Sequence, residues 1–299
     1  MSAYHHPVML RESVAALAMM PNGTYVDATL GGGGHSCAML EQLKQGRLYA
    51  FDCDADAAAN IPNDKRLVFV RSNFRYLQNC LRYLGCTSVD GILADLGVSS
   101  HQFDVGERGF SFRFEADLDM RMNQDASLTA AHVLNHYTQE ELEHIFSQYG
   151  EMPQSRQAAA LIVQARAQSP INNTATLSHV LAPITPYRNP HKFWATLYQS
   201  LRIEVNKEME ALEALLEQSL RLLNSGGRLA IITYHSLEDR MVKNFMRCGN
   251  TKGHITKDFY GNQESPFKVV YKKALMPSQE ELAQNNRARS AKLRVAEKW

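Results

Sequence analysis

The chain has 299 residues, a net charge of +1, 44% hydrophobic and 21% charged residues, which is ordinary for a soluble globular protein. This length is sufficient for one large α/β domain or for two domains with their own cores. No apolar run approaches the roughly 18 residues that a membrane span needs, and the N-terminus lacks the pattern of a secretory signal. Composition therefore predicts a cytoplasmic protein that is neither secreted nor held in a membrane.

The five cysteines are odd in number and show no CxxC spacing. This pattern favours reduced cysteines that pack inside a cytoplasmic protein over a disulfide framework. A structural zinc site is not expected, and we predict no resident metal.

The small net charge hides an uneven distribution. From Arg240 to the C-terminus there are 13 Lys and Arg residues against 5 Asp and Glu, a balance of +8, so the preceding residues sum to −7. A basic end on an acidic chain indicates contact with a polyanion, although a solvated tail that keeps the protein soluble is an equal explanation.

The first third of the chain alternates apolar strands with helical segments. The predicted strands are 25–28, 48–52, 67–70 and 89–93, and the predicted helices are 10–19, a segment that begins near Ser36, 55–60 and 76–84. Such alternation is typical of a parallel, doubly wound sheet, whose ligands bind outside the carboxyl ends of the strands.

Four consecutive glycines, Gly31 to Gly34, separate the first strand from its helix. Glycine allows positive φ and close approach of a ligand, and the helix N-terminus offers N–H groups and a favourable dipole end. Asp27 precedes the glycines and Asp52 ends the second strand. These features predict a nucleotide-binding turn.

The residues of this turn leave two ligands open. NAD requires G-x-G-x-x-G and an acid about 20 residues later, which Gly31, Gly33 and Asp52 fit loosely, but Ser36 replaces the third glycine. S-adenosylmethionine also suits the turn, with Asp27 ordering it or attracting the ammonium group and Asp52 receiving the ribose hydroxyls. Each acid can instead be a capping residue at a strand end.

The pattern changes at about Glu107, after which no strand is predicted before 228–234. A capping box of Thr138 and Glu141 opens a helix to Gln148. The other predicted helices are 154–168, 177–181 and a helix whose apolar residues run from Leu201 to Leu223 and which stops at Gly226-Gly227. We therefore predict an α/β domain of residues 1–106 and 204–299, interrupted by a helical insert of residues 107–203. The polar segment 251–266 is predicted to be a mobile loop.

The loop ADLGVSSHQFD (Ala94–Asp104) follows the fourth strand, where class I methyltransferases keep their catalytic loop. Through this loop and further runs the chain resembles the family of ribosomal RNA small subunit methyltransferase H nearly end to end. The matching runs are HHPVML (His5–Leu10), DATLGGGGHS (Asp27–Ser36), DGILADLGVSSHQFD (Asp90–Asp104), ERGFSF (Glu107–Phe112), LDMRM (Leu118–Met122), LRIEVNKEME (Leu201–Glu210), YHSLEDRMVKNFM (Tyr234–Met246) and NRARSAKLRVAE (Asn286–Glu297).

The resemblance implies a class I, Rossmann-like α/β methyltransferase domain with an inserted all-helical domain that recognises the substrate. It implies transfer of a methyl group from S-adenosylmethionine to N4 of a specific cytosine in the decoding region of small-subunit (16S) ribosomal RNA. The expected partner is that RNA or the small ribosomal subunit, with no DNA or membrane involved. Monomer and dimer both stay open, as does the choice between free RNA and the assembled subunit.

The resemblance also implies which residues contact the cofactor. They belong to the glycine-histidine turn, to the strand ends and to the loop after strand four. These residues are Gly33, Gly34, His35, Asp52, Phe74, Asp95 and Gln102. The alternative for Phe74 is that of an ordinary core residue.

Two residues are candidates for catalysis. Asp95 can accept a hydrogen bond from the amino group as that group gains positive charge. His235 ends the returning strand and can face the pocket. In the alternative interpretation Ser236 and Asp239 form an N-cap pair and His235 only positions that turn.

RNA contact is expected from basic side chains on phosphates. The candidates are Lys243, Arg287, Arg289, Lys292 and Arg294, together with the helical insert. The alternative is that the C-terminal run packs back on the sheet and binds nothing.

Two positions depart from the family pattern. Glu115-Ala116-Asp117 replaces a Gly-Pro turn, and Thr196 replaces an arginine. Both belong to the insert, so they put substrate-side details in question and leave cofactor binding unaffected. Two competing functions are an NAD-linked oxidoreductase and a non-catalytic RNA-binding or assembly factor.

Overall fold

The computed structural model describes residues 7–261 and 263–299, so His5 and His6 of the HHPVML run lie outside the described residues. The chain divides into a sheet unit, Met1–Gly97 with Met209–Trp299, and a helical unit, Val98–Glu208. These boundaries differ by a few residues from the predicted insert of residues 107–203. One reason is that a helix runs without interruption from Pro190 to Asn206.

The sheet unit is built on seven strands in the order β3-β2-β1-β4-β5-β9-β8. The strands among the described residues are β1 Thr24–Asp27, β2 Arg47–Asp52, β3 Leu67–Arg71, β4 Val89–Asp95, β5 Leu223–Thr233, β6 Thr256–Lys257, β7 Gln263–Glu264, β8 Phe267–Val269 and β9 Lys292–Lys298. Neighbours among β1 to β5 are parallel, whereas β9 is antiparallel to both β5 and β8. The predicted Rossmann-like α/β fold class is confirmed.

Helices of the sheet unit pack on both faces of this sheet, and helices are the main elements of the second unit. They are α1 Leu10–Ala16, α2 Gly34–Gln42, α3 Leu77–Tyr83, α4 Ser100–Asp104, α5 Ala130–His136, α6 Gln139–Gln148, α7 Ser155–Arg166, α8 Thr174–Leu181, α9 Pro190–Asn206, α10 Glu208–Leu222, α11 Ser236–Cys248 and α12 Gln279–Gln284. The predicted segment at 55–60 is a 3-10 helix. In the part of the chain that the structure describes, no helix has the length and apolarity to cross a membrane.

Alternation along the strands explains why helices are needed on both faces. In β4, Ile92 belongs to the core cluster that contains Leu215 of α10, whereas its neighbour Leu93 belongs to the cluster that contains Met39 of α2. Successive side chains of a strand point to opposite faces, so a strand that is apolar throughout must be covered twice.

The helical unit has a core of its own, which includes Phe146, Leu177 and Leu197. Its only β pairing among the described residues is an isolated bridge of Asp117 with Asn173. The predicted capping box of α6 is confirmed: the Thr138 hydroxyl accepts from the Glu141 N–H, and the Glu141 carboxylate accepts from the Thr138 N–H.

The single helix predicted up to Leu223 is wrong. Helices α9 and α10 are separated by Lys207, whose φ of 50° lies in the left-handed region and whose N–H donates to the Glu204 carbonyl. Leu223 already belongs to β5, so Gly226-Gly227 lies within that strand. The apolar spacing continues through the break because one left-handed residue changes the helix direction without removing any apolar position.

The segment 251–266, predicted to be a mobile loop, is not a loop throughout, and Asn262 within it lies outside the described residues. It contains β6 and β7, which pair antiparallel with Thr256 opposite Glu264 and Lys257 opposite Gln263. Strands of two residues carry too little periodicity to be recognised in a polar sequence.

The basic C-terminal run is part of the sheet from Lys292 onward. There Asp239 of α11 holds β9, because its carboxylate accepts from Arg294 Nε at 2.6 Å and from Lys292 Nζ at 3.3 Å. Burial acts to raise the pKa of Asp239, but the hydrogen bonds and charges of Arg294 and Lys292 outweigh it and hold the pKa below its ordinary value.

We predict that Asp239→Asn lowers the free energy of unfolding at pH 7 by about 1.5–3 kcal/mol, the contribution of hydrogen bonds to charged groups. A depressed folded-state pKa contributes stability that is present above the unfolded pKa of about 3.9 and is lost as the pH falls through the folded value. Urea unfolding should therefore show a difference between variant and unmodified protein at pH 7 that shrinks in acid. The control is Glu210→Gln, which removes a long surface ion pair with Arg75, at 3.5 Å, and should leave stability nearly unchanged. An equal difference at both pH values would contradict the assignment.

Candidate active site

The carboxyl ends of the parallel strands bring three acids to one edge of the sheet. Asp27 ends β1, Asp52 ends β2 and Asp95 ends β4. Asp27 lies opposite Leu93 of β4, and Asp95 lies opposite Ile232 of β5. This is the edge at which ligands bind in doubly wound sheets.

The glycine turn needs glycine for identifiable reasons. Gly31 and Gly33 have φ values of 49° and 78°, and a Cβ on Gly33 would lie 2.5 Å from the backbone oxygen of Asn60. Gly33 is the N-cap of α2, which begins at Gly34, two residues before the predicted start. No side chain within the described ranges caps this end, so N–H groups of the first turn face the edge of the sheet as donors.

Asp27 fixes the conformation of the glycine turn through hydrogen bonds. Its side chain is fully buried and accepts from the Ser36 hydroxyl at 2.6 Å and from the Thr29 N–H at 3.1 Å. Burial raises its pKa, against the lowering effects of His35 and of these hydrogen bonds. Of the two roles considered for Asp27, the geometry favours ordering of the turn. Ser36, at the position where an NAD site has its third glycine, is the hydroxyl donor to this carboxylate.

Asp52 closes the other side of the turn. One carboxylate oxygen accepts from the Gly31 N–H and the other from the Asp54 N–H, both at 2.8 Å. Removal from water raises its pKa to about 6, despite these hydrogen bonds. A carboxylate has about four lone-pair positions, so each oxygen can accept a further hydrogen bond.

His35 is buried beneath the turn and connects it to Asp95. Its Nε2 lies 3.1 Å from the Val8 carbonyl, and its Nδ1 lies 3.9 Å from Asp95 Oδ2. Because a carbonyl only accepts, Nε2 carries the hydrogen and Nδ1 faces the carboxylate. The family resemblance implied that His35 contacts the cofactor. In the structure its side chain lies between the Val8 carbonyl and Asp95.

Tyr234 is a neighbour of Asp95 that the sequence did not single out. Its hydroxyl donates to Asp95 Oδ1 at 2.7 Å, and the Asp95 N–H donates to the Thr29 hydroxyl at the same distance. Burial raises the pKa of Asp95 to about 6, while the charge of His35 and the Tyr234 hydrogen bond lower it. Burial and Asp95 together raise the pKa of Tyr234 well above its ordinary value. The sequence could have indicated Tyr234 through its position beside His235, at the end of the predicted strand 228–234.

His235 is itself the N-cap of α11, so the predicted N-cap pair of Ser236 and Asp239 is wrong. Its Nδ1 accepts from the Glu238 N–H at 3.4 Å, and the Glu238 carboxylate accepts from the Tyr234 and His235 N–H groups. The Nε2 atom lies 3.2 Å from Glu238 Oε1, without hydrogen-bond geometry to any described residue. His235 therefore has a capping role, and Asp239 pairs with β9 instead.

The two remaining cofactor candidates occupy different units. Phe74 begins a short 3-10 helix after β3 and packs, partly buried, against the sheet core. Gln102 belongs to the helical unit, where it is buried and its side-chain oxygen accepts from the Ser99 N–H in the capping box of α4.

The basic candidates separate into two groups. Lys243, Arg287 and Arg289 are exposed, the last two on a 3-10 helix whose Ala288 points into the core. Lys292 and Arg294 are bound to Asp239. The alternative interpretation, in which the C-terminal run packs back on the sheet, therefore holds for Lys292 and Arg294. It does not hold for the exposed group.

The two departures from the family pattern have local partners in the helical unit. The Ala116 N–H donates to the Thr174 hydroxyl at 3.1 Å. The Thr196 hydroxyl donates to the Phe193 carbonyl within α9.

The hydrogen-bonding groups at this edge of the sheet fit S-adenosylmethionine. Two carboxylates with remaining acceptor positions, Asp52 and Asp95, suit ribose hydroxyls and a cationic amino-acid tail. The N–H groups at the start of α2 suit the carboxylate of that tail. The open side of Gly31, where an added Cβ would meet no atom closer than 3.9 Å, allows close approach of a ligand.

Comparison with known proteins agrees with this geometry. A family model described as the MraW methylase family matches residues 2–299. The chain is similar to proteins named ribosomal RNA small subunit methyltransferase H from three bacteria. It is 54% identical to that of Parabacteroides distasonis over 99% of this chain and 98% of the relative, and 53% identical to that of Bacteroides fragilis over the same shares. It is 52% identical to that of Flavobacterium psychrophilum over 97% of this chain and 100% of the relative.

The match extends over almost the whole chain and almost the whole length of these relatives. It includes the glycine turn, the loop after β4 and the end of β5, which carry the residues described above. The chain belongs to the MraW methylase family.

Proposed function

We propose that the protein transfers a methyl group from S-adenosylmethionine to N4 of a specific cytosine in the decoding region of small-subunit (16S) ribosomal RNA. The observation that carries the proposal is the placement of Asp52 and Asp95 beside the uncapped start of α2. Family membership supports methyl transfer, and the names of the relatives support ribosomal RNA as the substrate. The choice of cytosine N4 rests on the resemblance of the loop after β4.

Cofactor binding is assigned to the residues at the sheet edge. Asp52 accepts hydrogen bonds from the ribose hydroxyls, Phe74 packs on the adenine, and Gly33, Gly34 and His35 form the wall next to the amino-acid tail. The resemblance also assigns Gln102 to the cofactor. Gln102 belongs to the helical unit, which we propose takes part in substrate recognition. When bound, S-adenosylmethionine supplies a methyl group on a positively charged sulfur.

Asp95 is the acceptor in the transfer step. The N4 lone pair of cytosine is delocalised into the ring, so alignment with the methyl carbon and stabilisation of the developing positive charge are both needed. S-adenosylmethionine would give its methyl group to N4 and keep the electron pair of the carbon–sulfur bond, and the proton that N4 loses would pass to the Asp95 carboxylate. Asp95, with a pKa of about 6, suits uptake and release of that proton near neutral pH. The target base must leave its stack to reach this carboxylate.

We propose a cytoplasmic enzyme whose partner is small-subunit RNA, either free or in the assembled subunit, and which acts as a monomer or a dimer. The test is incubation with labelled S-adenosylmethionine and small subunits that lack the mark, followed by mapping of the label. Label on N4 of one cytosine is expected. Label on another base or atom would overturn the cytosine assignment, and RNA binding without transfer would favour a non-catalytic factor. Binding of NAD in place of S-adenosylmethionine would favour the oxidoreductase.

Tyr234→Phe is predicted to shift the acid limb of methyl transfer to higher pH. The variant loses only the hydroxyl whose hydrogen bond lowers the pKa of Asp95, so this pKa should rise from about 6. If the carboxylate is the active form, activity falls as the pH drops through the pKa, and in the variant this loss begins at higher pH. The pH profile of single-turnover transfer measures the shift, and ¹³C NMR of the Asp95 carboxyl measures its titration independently.

The matched control for Tyr234 is Tyr198→Phe. Tyr198 is also a buried tyrosine, and its hydroxyl has no hydrogen-bond partner in the described part of the chain. Its pH profile should equal that of the unmodified protein. A Tyr234→Phe profile that also stays unchanged would remove Tyr234 from the positioning of Asp95.

Replacing both Arg287 and Arg289 with alanine should weaken RNA binding more at low salt than at high salt. Each phosphate contact releases counterions, so a variant that lacks such contacts has a smaller salt slope. Filter binding at two salt concentrations measures the effect, with exposed Arg82→Ala on α3 as the control. Equal affinity of variant and unmodified protein at both concentrations would exclude these arginines from the RNA interface.

A further inference from the structure

We propose that the tip of the β6–β7 hairpin, Asp258–Gly261, is a docking surface for unpaired bases of RNA. The inference rests on the proposed function for the identity of that RNA and extends it to a surface that neither the sequence motifs nor the basic candidates include. The hairpin belongs to the sheet unit and follows α11 in the chain.

Two adjacent aromatic side chains at the tip are almost fully exposed. Phe259 is 97% exposed and Tyr260 is 86% exposed, and neither belongs to a hydrophobic core cluster. Their ring centroids lie 5.6 Å apart with an interplanar angle of 87°. The rings therefore pack edge to face on each other and keep large ring surfaces in water, which is the arrangement on which nucleic-acid bases stack.

Hydrogen bonds fix the backbone of the tip that carries these rings. The Tyr260 N–H donates to Asp258 Oδ1 at 2.9 Å, and the Gly261 N–H donates to the Asp258 carbonyl at 3.0 Å. Gly261 has a φ of 85°, which favours glycine at the turn. Asn250 anchors the start of the hairpin, since its side chain bonds both the N–H and the carbonyl of His254. A tip that is ordered before binding loses less conformational freedom when a base stacks on it.

The flanking charges suit a polyanion. Residues 251–273 contain five lysines against two acids, a balance of +3. Lys252, Lys257, Lys272 and Lys273 are exposed and make no ion pair within the described ranges of the chain. Exposed aromatic faces on a lysine-rich segment provide stacking for bases and attraction for phosphates, which are the two contributions to single-strand binding.

An exposed aromatic pair with lysines can also meet an anionic membrane or a protein. RNA is favoured here because the apolar surface of the tip consists of ring faces on a polar hairpin rather than of a continuous aliphatic patch. The other two partners are outcomes of the test.

The test compares Phe259→Ala/Tyr260→Ala with the unmodified protein in binding to a short mixed-sequence single-stranded RNA and to the duplex of that RNA. Fluorescence anisotropy should show single-strand affinity reduced by about tenfold or more, the size expected when base stacking on an aromatic side chain is lost. Duplex affinity should change little because paired bases are stacked on each other. Phe259→Tyr/Tyr260→Phe, which keeps both rings, should retain the affinity.

The matched control is Tyr83→Ala, because Tyr83 is a 91% exposed tyrosine of the same unit outside the hairpin. Calorimetric binding of S-adenosylmethionine should be equal in all variants, which shows that the sheet unit is intact. Unchanged single-strand affinity in the double alanine variant would overturn the inference. So would a loss of binding confined to anionic lipid vesicles or to assembled subunits, with naked RNA bound normally.

The inference and the proposed function fail in distinguishable ways. If the unmodified protein transfers methyl groups to small-subunit RNA and the hairpin variants bind single strands normally, only the docking surface is excluded. If the hairpin variants lose single-strand affinity but the unmodified protein methylates no cytosine N4, only the proposed function is excluded.

Discussion

The buried carboxylate of Asp27 is the constraint on which the candidate site depends. It has no exposed surface, and it joins the end of the interior strand β1 to the start of α2 through Thr29 and Ser36. A buried charged or polar group is tolerated only when its hydrogen bonds are made, so strand end, turn and helix are held in one arrangement. The same arrangement places His35 between the Val8 carbonyl and Asp95.

The site brings three carboxyl groups to one edge of the sheet. Asp27 acts to raise the pKa of both Asp52 and Asp95, in addition to the larger effect of their burial. A cationic ligand relieves this repulsion, and S-adenosylmethionine carries positive charge on sulfur and on its amino group. Under the proposed function the acids serve to bind the cofactor, and their mutual repulsion adds to the burial that raises the pKa of Asp95 towards neutral pH.

The basic C-terminal part shows how one charge pattern can serve two purposes. Lys292 and Arg294 stabilise the sheet because Asp239 lies opposite them on α11. Arg287 and Arg289 are exposed because Ala288 between them faces the core. A count of charges cannot separate these groups, since the difference lies in which acid each side chain meets in the fold.

Sequence by itself determined the α/β class, the parallel strands, the glycine turn and the acids at the strand ends. These follow from local rules: apolar runs become buried strands, and the carboxyl ends of parallel strands share one edge. Its motifs also determined the family, because many ordered runs match and one glycine turn would not suffice.

Tertiary structure alone decided which partner each side chain meets. It assigned the Tyr234 hydroxyl to Asp95, the Ser36 hydroxyl to Asp27, and His235 to the cap of α11. It also decided the break at Lys207 and the short β6–β7 pair. The physical reason is common to all of them: a hydrogen bond between residues 139 positions apart, as between Asp95 and Tyr234, leaves no local pattern, because its geometry exists only once β4 and β5 lie side by side.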